Sequence, residues 1–104
     1  MKNRSLLNTD VDHLLHAVSK IVVDELSGNY RLFLFGSRAT GHHHEKSDID
    51  IGILFDGVIT AKQMQNIQDK LEAIPTLLKI DFVDFSSVGD TFRQMALENT
   101  LEIK

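Results

Sequence analysis

Two carboxylates and a glycine-serine pair stand out in the sequence. Asp48-Ile49-Asp50 follows Gly36-Ser37 after a spacer of ten residues. On a strand, residues two apart project to the same side, so Asp48 and Asp50 would share one face. Like charges held together among apolar neighbours repel and are costly to desolvate. A divalent cation removes that cost, and carboxylates combined with phosphate oxygens suit Mg²⁺. Gly36 lets the backbone come close to a phosphate, whose oxygens can take adjacent N–H groups and the Ser37 hydroxyl. Arg38 fits either a charge-assisted phosphate contact or a structural salt bridge.

These residues need a scaffold, and the hydrophobic pattern describes one. Val11, Leu14, Leu15, Val18, Ile21, Val22 and Leu26 recur at helical spacing. They predict a helix from about Asp10 to Leu26, with Thr9 as its cap, Asp10 and Asp12 in its first turn and frayed residues before it. Ser27-Gly28-Asn29 ends it. Tyr30 to Phe35 reads as a strand, and Gly36 to Ser47 as a loop with room for one helical turn. Asp48 to Phe55 alternates: Ile49, Ile51, Ile53 and Phe55 face one way, and Asp48, Asp50, Gly52 and Leu54 the other. Thr60 can cap a second long helix, with Ala61, Met64, Ile67, Leu71 and Ile74 as its apolar stripe and Pro75 as its end. Lys79 to Phe85 reads as a third strand. Val88, Phe92, Met95 and Ala96 then return to helical spacing. The order is α-β-β-α-β-α. The connection between the first two strands is short for a helical crossover, which predicts a small mixed sheet with packed helices, an α/β (α+β) domain.

Composition narrows the class. A chain of 104 residues suits one compact domain over residues 1–104. Eleven basic against fifteen acidic residues give a formal charge of −4, which argues against a broad nucleic-acid surface. Asp outnumbers Glu ten to five. The absence of Cys excludes disulfides, zinc-thiolate sites and a thiol nucleophile. The apolar runs are far below the ~20 residues of a membrane helix. Met1-Lys2-Asn3-Arg4 opens no apolar stretch of signal-peptide length, so the expected setting is the cytoplasm, with no membrane partner. His13 and His16 are expected at the surface. His42-His43-His44 reads as a solvated loop, with a base or acceptor contact as the sharper alternative.

Three neighbouring motifs fail. Gly36-x4-Gly41 begins like a P-loop, but His42-His43 stand where Lys and Ser/Thr belong. Ser37-Arg38 breaks a dinucleotide fingerprint. An EF-hand counted from Asp48 would need Gly where Ile53 stands.

What survives resembles the minimal nucleotidyltransferase (MNT) family of the polymerase-beta-like superfamily. Gly36-Ser37, the spacer and Asp48-Ile49-Asp50 carry the resemblance, together with Phe35, Arg38-Ala39 and Ser47. Thr40, where a basic residue is common, and the triple His depart from the pattern. The resemblance implies the nucleotidyltransferase fold over nearly the whole chain. It also implies a third carboxylate on a later strand. Ile80-Asp81-Phe82-Val83 fits that pattern, so Asp81 is the first choice and Asp84, three residues on, the second.

The family resemblance further implies a mechanism. Asp48, Asp50 and Asp81 would be the catalytic and metal-binding acids, holding two Mg²⁺ ions around ATP. Gly36, Ser37 and Arg38 would bind its phosphates. AMP would pass to a hydroxyl, with Asp81 taking the proton. The implied partner is a small helical HEPN protein that completes the site. In a type VII toxin–antitoxin pair, the MNT chain is the antitoxin that adds AMP to a tyrosine of the HEPN RNase toxin. The alternatives are a non-catalytic binding module that neutralises its partner by contact, or transfer to a small molecule.

Overall fold

The computed structural model describes residues 2–41 and 48–103. The first helix, α1, spans Lys2–Glu25 and starts well before the expected boundary. Thr9 therefore lies inside the helix rather than at its N-terminus, and Asp10 and Asp12 lie beyond its first turn. The reason is local. Lys2 to Thr9 has too few large apolar residues to mark a stripe, yet it contains no Gly or Pro to stop the helix from extending through it. His13 and His16 are exposed, as expected.

Strand β1 (Tyr30–Phe35) and strand β2 (Ile49–Phe55) pair antiparallel. Between them, α2 (Ser37–Thr40) is the single helical turn, closed by Gly41 in the left-handed region. Helix α3 (Ala61–Glu72) opens on a capping box: Gln63 N donates to Thr60 Oγ1 at 3.1 Å, and Thr60 N to Gln63 Oε1 at 2.9 Å. It leads into β3 (Ile80–Asp84), which runs parallel to β2, as a strand reached through a helical connection can. Helix α4 (Asp90–Leu97) follows. The chain then adds a strand absent from the expected order, β4 (Leu101–Glu102). The sheet order is β3-β2-β1-β4, a mixed sheet.

The two-residue β4 is too short to show alternation, and its partner supplies what holds it. Ile103 N donates to Leu32 O at 2.8 Å, and Arg31 Nε donates to Glu102 Oε1 at 2.9 Å. The same guanidinium lies 5.5 Å from the Phe33 ring centroid.

One face of the sheet carries the main core. Ile49, Ile51 and Ile53 are fully buried with Leu32 and Leu34 against Leu14, Val18, Val22 and Leu26 of the α1 region and Ile67 and Leu71 of α3. Met64 and Ile74 pack at its edge, while Ala61 stands exposed. Glu25 ties the two helices, accepting from Asn66 Nδ2 at 3.0 Å and facing Lys70 Nζ at 3.7 Å.

The opposite face is not simply polar. Phe33, Phe35 and Phe85 form a second cluster, with edge-on ring contacts at 5.0 Å and Leu54, Val83, Val88 and Leu97 around them. Gly52 makes this possible, because a Cβ there would lie 2.6 Å from both the Phe33 and Phe85 rings. Gly52→Ala is expected to destabilise the chain by about 1–3 kcal/mol through overpacking, read by urea denaturation against wild type.

Candidate active site

The site forms where β1 ends and β2 and β3 begin. Phe35, the last residue of β1, sits opposite Asp50. The chain then turns at Gly36 with φ 75°, a conformation that side chains disfavour. A Cβ on Gly36 would run into Asp50 Oδ2 and lie 3.3 Å from Cγ. Glycine is thus required twice, by the turn and by the carboxylate pressed against it. Ala39 N donates to Gly36 O at 3.1 Å, which starts the α2 turn and places Ser37 at its head. Arg38 is buried, at 8% exposure, and burial pulls its pKa down. A guanidinium remains charged under such a pull.

Asp50 is the register partner of Asp81 on the parallel neighbour β3. Register partners share a face, so the two carboxylates meet. Asp48 stands exposed two residues before Asp50. Lys79 flanks the group: its carbonyl accepts from Ile49 N at 2.8 Å, and its Nζ lies 3.8 Å from Asp81 Oδ1. Burial is the main force pushing the Asp50 pKa up. The charges of Asp81 and then Asp48 add to it, with a side-chain hydrogen bond to Asp81, while Lys79 opposes them.

Asp84 lies apart from this group. It pairs with Ile53, whose side chain points into the main core face. Its Oδ1 accepts from Ser86 N at 3.0 Å and Ser86 Oγ at 2.6 Å, and its carbonyl from Ser87 Oγ at 2.9 Å. Asp84 is engaged in the turn after β3. His42 to His44, Glu45, Lys46 and Ser47 lie outside the described residues.

The donor set fits a hard divalent cation. It is all oxygen, it carries repulsion that a cation would relieve, and Mg²⁺ needs only one or two protein carboxylates. Among the described residues, no three acidic, His or Cys side chains are gathered into a cage that could hold a metal ion by themselves. Water or a phosphate-bearing ligand would supply the remaining oxygens. Sequence reasoning passed over Lys79, although it is the cation two residues before Asp81 and thus lies on the same side of the strand.

The chain as a whole has known counterparts. The family model for polymerase beta nucleotidyltransferases matches residues 24–103. The chain belongs to this nucleotidyltransferase family. The probable protein adenylyltransferase MntA of Haemophilus influenzae is 22% identical over 79 residues, covering 76% of this chain and 69% of that protein. A toxin–antitoxin structure with AMP-PNP superposes with a TM-score of 0.69 at 23% identity, covering 86% of this chain and 72% of that one. The tri-AMPylated Shewanella oneidensis HEPN toxin in complex with MNT antitoxin gives a TM-score of 0.65 at 20% identity, covering 88% and 69%. These structural likenesses establish the nucleotidyltransferase fold, including its mixed sheet. No helix among the described residues is long and apolar enough to cross a membrane.

The upward shift of Asp50 has a measurable consequence. An acid whose pKa is raised on folding binds its proton more tightly in the native state, so stability falls as pH rises from the ordinary carboxylate value through the raised one. Asp50→Asn removes that penalty. The variant is expected to melt above wild type at neutral pH without divalent ions, a gain that shrinks as pH falls toward the ordinary carboxylate range. Thermal melts of both proteins across that range check it.

Proposed function

We propose that this chain transfers AMP from ATP to a tyrosine hydroxyl of a HEPN-type RNase toxin and is the antitoxin of that pair. The observation that carries the reading is the in-register pairing of Asp50 with Asp81, with Gly36 packed on the Asp50 carboxylate, in a chain of the nucleotidyltransferase family. The adenylyltransferase name of the Haemophilus relative and the AMPylated toxin in the Shewanella complex support the choice of group and acceptor. The structure with AMP-PNP supports ATP as donor.

Each residue then has a role. Asp48, Asp50 and Asp81 would hold Mg²⁺, which when bound neutralises triphosphate charge and makes the acceptor hydroxyl more acidic. The Ser37 hydroxyl and the Gly36-Ser37 backbone bind the β- and γ-phosphates, and Arg38 adds positive charge behind them. The Asp81 carboxylate accepts the proton of the attacking hydroxyl. The hydroxyl oxygen bonds to the α-phosphorus, the bond from that phosphorus to the bridging oxygen of the β-phosphate breaks, and pyrophosphate leaves. The chain works as one catalytic domain over residues 1–104, and the HEPN protein brings the acceptor to it.

Intact-mass analysis of a co-expressed HEPN partner tests the reading. With ATP and Mg²⁺, the partner should gain mass in whole AMP units. Asp48→Asn with Asp50→Asn should slow the gain at least ~100-fold, and chelation of the metal should stop it. A double variant that still modifies the partner like wild type excludes this mechanism. A variant that neutralises without modifying leaves the binding-module reading in its place.

A further inference from the structure

Lys79 has a place in this site that the mechanism above does not use. Its carbonyl bond to Ile49 N fixes the backbone at the mouth of the β2–β3 pair. From there the ammonium reaches to 3.8 Å from Asp81 Oδ1 while the side chain stays 70% exposed. It is the cation that offsets the repulsion on Asp50. Lys79 also lines a cleft of about 290 Å³ with residues that include Gln68, Glu72, Thr76 and Ile80, and its exposure leaves the side chain room to swing away.

We propose that Lys79 is the resident counter-ion of the acid pair: its ammonium stands in for the divalent cation in the metal-free chain, gives way when the cation enters, and then contacts the phosphates of the substrate. The inference rests on the carboxylate site proposed above. The physics favours exchange over a permanent pair. An ammonium is a compact, strongly hydrated charge on a flexible stem, and an exposed ion pair of this kind is weak enough to be displaced cheaply. A divalent ion brings twice the charge to the same two carboxylates. Once displaced, the lysine would have a new opposite charge to pair with on a bound triphosphate. Removing the ammonium should therefore have two opposite effects, tighter metal and looser nucleotide.

The experiment titrates Mn²⁺ alone into wild type, Lys79→Gln, Lys79→Arg and Asp50→Asn at low salt, following loss of the free-ion EPR signal. Lys79→Gln should bind Mn²⁺ roughly two- to fivefold more tightly than wild type, a difference that shrinks in high salt, and Lys79→Arg should match wild type. In saturating Mg²⁺, a non-hydrolysable ATP analogue should bind Lys79→Gln roughly three- to tenfold more weakly, again with Lys79→Arg near wild type. Equal or weaker Mn²⁺ binding by Lys79→Gln overturns the counter-ion role. Unchanged analogue binding overturns the contact with phosphate. Wild type that takes up no more Mn²⁺ than Asp50→Asn overturns the carboxylate site itself, and this inference with it.

Discussion

Two like charges held side by side are the constraint around which this structure is built. Asp50 and Asp81 are register partners on adjacent parallel strands, with Asp48 two residues away. Nothing in local propensity favours such a pairing. It survives because the same strands are pinned from behind. Ile49, Ile51 and Ile53 alternate with Asp48, Asp50 and Gly52, and the isoleucines are fully buried. A slip of one residue would drive the acids into the main core and the isoleucines against the Phe33 and Phe85 rings, so the two packed faces hold the carboxylates in register. The core and the site are two faces of one strand.

The acid-bearing face has its own rigid support. Phe35 lies opposite Asp50, Phe33 opposite Gly52, and Phe85 packs on both rings. Phe92 of α4 contacts Phe35 at 6.2 Å and Phe85 at 5.7 Å between centroids. The carboxylates thus sit at the end of an aromatic platform, and two glycines mark its limits. Gly52 leaves space for rings, and Gly36 leaves space for a carboxylate. Both are sites where the chain forgoes a side chain so that another group can come close. The platform stiffens the floor beneath Asp50, while Lys79 and Asp48 stay exposed at the rim. A packed floor with an exposed, charged rim suits the counter-ion exchange proposed for Lys79.

Much of this was legible in the sequence because it rests on periodicity and punctuation. The period of two in Asp48 to Phe55 gave β2 and its faces, the stripe from Met64 to Ile74 gave α3, and Thr60 gave its cap. Other features depend on contacts between segments, which no local pattern carries. Whether Asp81 or Asp84 meets Asp50 is a question of register between strands some thirty residues apart in sequence, and only the pairing places Asp81 there. The strand β4 exists because Leu32, Phe33 and Leu34 offer it an edge and Arg31 offers Glu102 a charge. The early start of α1 escaped because Lys2 to Thr9 carries only Leu6 and Leu7 as large apolar residues, too few to show a stripe. The aromatic cluster escaped because Phe33 and Phe35 lie on β1, Phe85 just past β3 and Phe92 on α4, and they read separately as strand or helix residues. Periodicity reveals faces, but which faces meet is decided in three dimensions.

That division also explains why the site can be costly without unfolding the chain. The desolvation and repulsion that raise the Asp50 pKa act on a few atoms at the strand ends. The compensating interactions lie elsewhere: the buried seam of α1 and α3 over the sheet, the Thr60–Gln63 capping box and the Glu25 link to Asn66 and Lys70. None of these touches the carboxylates. Stability and electrostatic strain are therefore carried by separate residues, and the strained group can be changed while the scaffold stays intact. A chain arranged this way gains stability when Asp50 is neutralised and, in the role proposed for Asp50, loses the chemistry by the same change, the trade-off expected where a fold holds charge ready for a ligand.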